Sequence, residues 1–322
     1  MVENIVVFTG AGASRPLGYP TTTEFFAKDL VSEVAENPVQ KDVLRKAASY
    51  LNLKAPHVDV EAILQLLDPF ERFFNEKSGQ FMLKHLSPSQ DIKAVIPLLH
   101  NIRRRVFNIY SKPPDEAEVK NLYKPLFDLL DVKNNRILLF TTNYDPVPDV
   151  LIKHYDNEGI TVWDGFNGFG EWDPSGYQEK SGLYVYRLHG CLSWVRDSNT
   201  IKNTLVYKPI ENKLDYHLVL YPGYKGNPLK EDEPFSYSHK ILSETLRKVR
   251  LIVVIGFSFR DDAINNAFKE AIKTNVFYIT PKLEEIKSLK EILGTRVVHP
   301  SEPSKFEDRT WLQHLKNLIN SI

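Results

Sequence analysis

An asparagine and a histidine, each just past an apolar run, are the residues of this chain best suited to chemistry. Asn143 stands in Thr141-Thr142-Asn143-Tyr144-Asp145 and His189 in Leu188-His189-Gly190. A carboxamide hydrogen-bonds in two directions, so it can hold a sugar hydroxyl or an attacking water. A neutral imidazole can take a proton from a hydroxyl near pH 7. Two glycine-bearing segments complete the set, Gly10-Ala11-Gly12-Ala13-Ser14 and Gly256-Phe257-Ser258. Glycines after a strand permit positive φ and let a ligand approach the backbone closely. Successive backbone N–H groups there can cradle a diphosphate. Ser258 can bond a phosphate or cap the next turn.

Taken singly, each segment also has a plainer reading. Residues 10–14 can be a strand-to-helix turn, Asn143 an Asx turn into Asp145-Pro146, and His189 a histidine that satisfies loop backbone. Arg15 at the third glycine position rules out a G-x-G-x-x-G fingerprint, and no Gly-Lys-Ser/Thr follows to make a Walker A loop. Arg260 stands where G-x-S-x-G needs its last glycine, which argues against a nucleophilic Ser258. Asp261-Asp262 reads as the N-cap of a helix starting near Ala263. No histidine or carboxylate spacing points to a metal.

The elements that must position these residues are legible as short apolar runs. Strands are predicted at 4–9 (NIVVFT), 136–141 (RILLFT), 183–188 (LYVYRL), 217–221 (HLVLY), 251–255 (LIVVI) and 276–279 (VFYI), with 296–298 closing the edge. All four candidate segments then follow strand ends, where open α/β sheets bind ligands. A helix over 23–36 with Thr23 as N-cap follows the first turn. From about 39 to 130 the apolar spacing is helical, which predicts a helical layer or lobe between the first two core strands. Short helices are expected at 122–130 and 149–155, and longer ones at 238–249 and 262–274. Residues 156–182, rich in Gly, Asp, Asn and aromatics, read as a long loop. The fold class is α/β, a doubly wound, mostly parallel sheet with an inserted helical layer or lobe, all within one domain over 1–322.

Composition narrows the function classes. Of 322 residues, 42% are hydrophobic and 25% charged, as in ordinary globular proteins. Lys plus Arg equals Asp plus Glu at 41 each, so no global field favours nucleic acid or a membrane surface. Arg103-Arg104-Arg105 reads as a solvated helix face. Cys191 is the only cysteine, which excludes an internal disulfide and a four-cysteine zinc site. The first apolar run is too short for a signal peptide and no stretch reaches the roughly 18 apolar residues of a membrane span. A cytoplasmic location is expected.

Together the four segments resemble the sirtuin family, whose NAD-binding core is a doubly wound, Rossmann-like sheet. Sirtuins carry G-A-G-x-S, then Q/T-N-x-D, then H-G, then G-x-S, each after a strand. The counterparts here are Gly10 to Ser14, Asn143 with Asp145, His189-Gly190, and Gly256 with Ser258. Gly18-Tyr19-Pro20 matches the family's G-I-P. Two departures stand out: Thr21-Thr22-Thr23 replaces the D-F-R of protein deacylases, and the four zinc cysteines are absent. The chain is therefore more similar to the zinc-free bacterial sirtuin-like proteins of antiviral defence, which hydrolyse NAD and carry helical insertions. Those proteins act with partners such as a HerA-type ATPase or an Argonaute-type sensor, or as oligomers.

This resemblance implies an NAD glycohydrolase with NAD as substrate and no metal. Asn143 and His189 are the implied catalytic residues. The implied nucleotide contacts are Gly10, Ala11, Gly12, Ala13, Ser14, Pro20, Thr142, Asp145, Gly256 and Ser258. Among these, Asp145 is expected to hold the nicotinamide carboxamide, and Gly256 and Ser258 the adenosine side. A homo-oligomer or a partner protein is expected to switch activity on, and no direct nucleic-acid or membrane binding is implied. Two other readings stay open, a non-catalytic NAD or ADP-ribose sensor or assembly module, and an NAD-dependent protein deacylase.

Overall fold

Short runs of β-branched and aromatic residues become strands buried on both faces, because helices cover each side of a parallel sheet. The computed structural model describes residues 4–21, 24–25, 33–52, 59–85, 89–197, 200–204, 217–219, 233–271, 274–293, 297–300 and 302–322. The main sheet comprises β1 (Asn4–Thr9), β2 (Arg136–Thr141), β3 (Val162–Trp163), β4 (Gly182–Arg187), β8 (Leu251–Ile255), β9 (Asn275–Ile279) and β10 (Val297–Val298). Its order is β10-β9-β8-β1-β2-β4-β3, and every pairing is parallel. Strands β5 (Gly190–Asp197), β6 (Thr200–Asn203) and β7 (His217–Val219) form a separate antiparallel sheet in the order β6-β5-β7.

Alternate residues of each strand feed two cores. Ile5, Val7, Ile137, Leu139, Leu183, Val185 and Val253 face one side. They pack there against α1 (Pro38–Tyr50), α2 (Val60–Asn75), α4 (Gln90–Tyr110), α5 (Glu116–Leu129), α6 (Val147–Asn157) and α10 (Leu312–Ile319). Val6, Phe8, Leu138, Phe140, Tyr184, Ile252 and Val254 face the other. Their cover is α7 (Phe235–Leu246), α8 (Asp262–Lys269) and α9 (Leu283–Leu293). Helices on both faces make the sheet doubly wound, and each large apolar side chain so buried contributes roughly 1.5–3 kcal/mol before entropy is counted. Helices α1, α2, α3 (Lys77–His85), α4 and α5 all lie between β1 and β2 in sequence. No helix among the described residues is long and apolar enough to cross a membrane.

The fold differs in several places from what local sequence pattern predicts. The run from 217 belongs to the small antiparallel sheet, pairing with β5, and not to the parallel sheet. Residues 220–221 and the predicted helix over 23–36, with its Thr23 cap, fall largely or wholly outside the described residues. Strands β5 and β6 had no periodic signal, because Cys191, Leu192, Ser193 and Trp194 are all buried and polar residues interrupt the apolar run. Helix α5 starts earlier than predicted, where Asp115 accepts from the amides of Ala117 and Glu118. Helix α7 lies about three residues ahead of its predicted span.

The segment 156–182 is a packed element. The Trp163 indole donates to Asp173 O at 3.1 Å, and the Trp172 indole donates to Glu233 Oε2 at 2.8 Å. Phe166 is buried against Trp172 and Trp194, whereas Phe169 is exposed.

Candidate functional site

The register of the parallel sheet brings the four segments to one level. Thr9 pairs with Thr141 on one side and Ile255 on the other, and Thr141 pairs with Arg187. Gly10, Thr142, Leu188 and Gly256 therefore leave the carboxyl ends of four adjacent strands side by side. Hydrogen bonds extend the ladder past the strands: Gly10 N donates to Ile255 O at 3.0 Å, Thr142 N to Thr9 O at 3.1 Å and Leu188 N to Thr141 O at 2.9 Å. From β1 the chain adds β2 and β4 in one direction and later β8, β9 and β10 in the other. This reversal is where an open α/β sheet forms its ligand crevice.

The two glycine segments interlock backbone to backbone. Residues Ala11–Ser14 form one helical turn, followed by a tighter turn at Arg15–Leu17 that ends on Gly18 at φ +87°. Gly12 N donates to Gly256 O at 2.9 Å. A Cβ on Gly10 would lie 2.7 Å from Gly256 O, and one on Gly12 would lie 2.8 Å from Gly256 Cα. Gly256 has φ +60°, and a Cβ there would lie 2.5 Å from the Gly12 and Ala13 backbone. Close approach of two loops thus demands these glycines on its own, whatever else the backbone holds.

Asn143 and Asp145 tie β2 to this turn. The Asn143 side-chain amide donates to Gly10 O at 3.0 Å and to Ser14 Oγ at 2.9 Å. Ser14 in turn donates to the Asp145 carboxylate. Asp145 also accepts from the amide of Val147, the first residue of α6, at 3.1 Å. Burial pushes the Asp145 carboxyl up to about 6, against the Ser14 hydroxyl, the Val147 amide and nearby Arg187, which lower it. Arg187, itself buried, donates to Asp145 O at 3.2 Å and pairs with Asp149 at 2.8 Å.

His189 is 3% exposed, and its Nε2 lies 3.1 Å from Asp261 Oδ2. The other Asp261 oxygen accepts from Ala263 N at 2.9 Å and Ile264 N at 3.2 Å, capping α8 as the sequence predicts. Burial raises the Asp261 carboxyl, but His189 and the two amides outweigh it and hold the group down at about 2. His189 Nδ1 is buried and has no hydrogen-bond partner among the described residues. The Tyr144 ring lies 6.5 Å from the imidazole, and its hydroxyl donates to Glu61 Oε1 at 2.9 Å. Burial, followed by Asp59, pushes the Glu61 carboxyl up to about 8.

The structure thus joins Gly10, Gly12, Ser14, Asn143, Asp145 and Gly256 in one network of backbone and side-chain contacts, with His189 on the adjacent strand end. Thr142 and Pro20 are half-buried beside it, and Pro20 O accepts from Tyr110 at 2.8 Å. Ser258 is exposed and makes none of these contacts. Sequence reasoning missed three contributors. Asp261 registers only as a helix cap. Glu61 sits in an ordinary helix start where Asp59 accepts from its amide at 2.9 Å. Arg187 looks like a strand residue. Among the described residues no three His, Cys, Asp or Glu side chains are grouped to hold a metal ion.

Asp145 yields a stability test with a definite sign. With its folded pKa near 6 and its ordinary value 3.8, the folded state binds the extra proton between those limits. Stability therefore rises as pH falls through that window, and above it the buried charge exerts its full cost. Asp145→Asn retains an acceptor for Val147 and removes the charge. It is expected to stabilise the protein by about 2–3 kcal/mol near pH 8, an advantage that shrinks as pH falls toward 4. Denaturant unfolding of both proteins across that range checks it; a pH-independent difference would refute the buried charge.

No functionally curated protein matches the sequence. Among solved structures, the chain is similar to a Sir2 homologue in complex with NAD, at 15% identity and TM-score 0.44, covering 98% of this chain and 90% of that one. It is also similar to a Sir2 complex with a p53 peptide and NAD+, at 10% identity and TM-score 0.44, covering 99% and 94%. A Sir2 complex with 2'-O-acetyl-ADP-ribose, the inhibitor EX-527 and a deacetylated p53 peptide stands at 9% and 0.46, covering 98% and 94%. Residues 137–282 match the family model described as a SIR2-like domain. That span, just under half of the chain, includes Asn143, Asp145, His189, Gly256 and Ser258. The matched family is the one that the four strand-end segments resemble, and residues 137–282 are similar to it.

Proposed function

We propose that this protein is an NAD glycohydrolase, cleaving NAD+ to nicotinamide and ADP-ribose. The observation that supports this best is the placement of Asn143 and His189 at neighbouring strand ends, level with the Gly10 to Ser14 turn. In this reading the diphosphate lies against the Ala11–Ser14 backbone, and Pro20, Thr142, Gly256 and Ser258 border the nucleotide. Asp145 holds the nicotinamide carboxamide. The bond from C1′ to the nicotinamide nitrogen breaks, its electron pair leaves with nicotinamide, and water adds at C1′. The developing oxocarbenium charge requires fixed dipoles or carboxylates nearby. Asn143 positions the ribose or the water, and His189 accepts a proton from a hydroxyl. The chain works as one sirtuin-like unit, with residues 39–130 as a helical insertion.

An unrestrained NADase would exhaust its host's cofactor. We therefore assign it a role as a cytoplasmic effector of antiphage defence, activated by self-assembly or by a partner such as a HerA-type ATPase or an Argonaute-type protein. The test is incubation of the purified chain with NAD over a wide protein concentration range, with nicotinamide and ADP-ribose followed by chromatography. Release with a steep concentration dependence is expected, and a chelator is expected to leave it unchanged. Loss of turnover with chelator would mean that a metal takes part.

A second reading, a non-catalytic NAD or ADP-ribose sensor, is favoured by one feature. The Asn143 amide and the Asp145 carboxylate already have partners within the protein. Intact NAD bound stoichiometrically, with no nicotinamide released at any protein concentration or with partners added, would select it.

A further inference from the structure

His189 lies between two unlike environments. Its Nε2 meets the Asp261 carboxylate, and its Nδ1 is buried with no hydrogen-bond partner among the described residues. Asp261 is an acceptor on both oxygens: Oδ1 takes the amides of Ala263 and Ile264, and Oδ2 faces the imidazole. An ionised carboxylate has no proton to give, so the contact at 3.1 Å requires the proton on Nε2. A neutral imidazole then carries its lone pair on Nδ1.

We propose that Asp261 is a positioning residue that fixes the His189 tautomer, reserving Nδ1 as the nitrogen that meets a ribose hydroxyl of the substrate. This rests on the glycohydrolase reading for the identity of the ligand, but not for the tautomer. When the hydroxyl proton passes to Nδ1, the O–H bond breaks, an N–H bond forms and the oxygen keeps the electron pair. The imidazolium so formed is paired with the Asp261 carboxylate. The two amides of α8 anchor the same carboxylate, so the imidazole is aimed by a helix start and not by a mobile side chain.

Asp261→Asn tests this with little change in shape. One amide oxygen must still accept from Ala263 and Ile264, because an NH2 group facing two N–H donors has no acceptor to offer. That orientation turns the Asn NH2 toward Nε2, which must then accept, and the proton moves to Nδ1. Nitrogen-15 NMR of the histidine rings, with His189 assigned by its loss in His189→Gln, reads the tautomer directly. The wild type is expected in the Nε2–H form and Asp261→Asn in the Nδ1–H form. With NAD, kcat of the variant is expected to fall by about 10,000-fold, the order seen when a catalytic histidine is held in the wrong tautomer, with KM little changed. A wild type in the Nδ1–H form, or a variant with unchanged tautomer and kcat, would overturn the proposal. The wild-type spectrum decides the tautomer even if the variant does not fold. If NAD proves not to be a substrate, the glycohydrolase reading fails while the tautomer result stands.

Discussion

Asn143→Ala and His189→Ala, each in folded protein, are expected to lower NAD hydrolysis by at least about 100-fold. Loss of a positioned proton acceptor costs roughly 100- to 10,000-fold, and loss of a preorganised hydrogen-bonding group at the reacting centre about 100- to 1,000-fold. The two variants differ in their structural consequences. Asn143 also ties Gly10 O and Ser14 Oγ to β2. Its removal leaves buried polar groups with one partner fewer, at about 1–3 kcal/mol. His189→Ala unpairs one Asp261 oxygen, but the α8 cap remains on the other. Thermal melting alongside single-turnover NAD cleavage separates the effects. Turnover within a few-fold of wild type in either folded variant would remove that residue from the chemistry.

Gly256→Ala is expected to be the most damaging small substitution at the site, destabilising the protein by about 3 kcal/mol or more. A left-handed backbone costs a non-glycine residue about 1–2 kcal/mol, and overpacking adds a further 1–3 kcal/mol or so. Here the new methyl meets backbone, at 2.5 Å from Ala13 N and from Gly12 C and Cα, and backbone cannot swing aside like a side-chain tip. Gly18→Ala is the matched control. It has φ +87° but nothing within 4 Å, so only the conformational cost of about 1–2 kcal/mol applies. Urea denaturation of both variants gives the comparison. Equal losses would show that the loops separate easily and that their interlock does not define the turn. Because the interlock sets the path of residues 10–14, Gly256→Ala is also expected to weaken nucleotide binding, whereas Gly18→Ala is not.

The parallel sheet could be read from the chain because each strand is a short apolar run covered on both faces, a local signal strong enough to mark NIVVFT, RILLFT and LIVVI. The four candidate segments followed, since a turn at a strand end in such a sheet faces the ligand side by topology. The small antiparallel sheet escaped because its strands mix polar and buried residues, and β7 pairs with β5 across a long connection. Local pattern carries no information about which sheet a short apolar run joins.

The fold class, the order of the strand-end segments and the residue types available for chemistry were all readable along the chain, since these depend on periodicity and turn chemistry within a few positions. Which of these residues touch emerges from the folded arrangement alone. Asn143 meets Ser14 across 129 positions, Tyr144 meets Glu61 across 83, and His189 meets Asp261 across 72. Asp261 illustrates the limit. Its N-cap role is a local pattern of one carboxylate and the amides just after it. Its second oxygen reaches the imidazole only because β4 and β8 end at the same level of one sheet. Strand register is a collective outcome of packing the faces of several strands together, so it joins residues far apart in the chain.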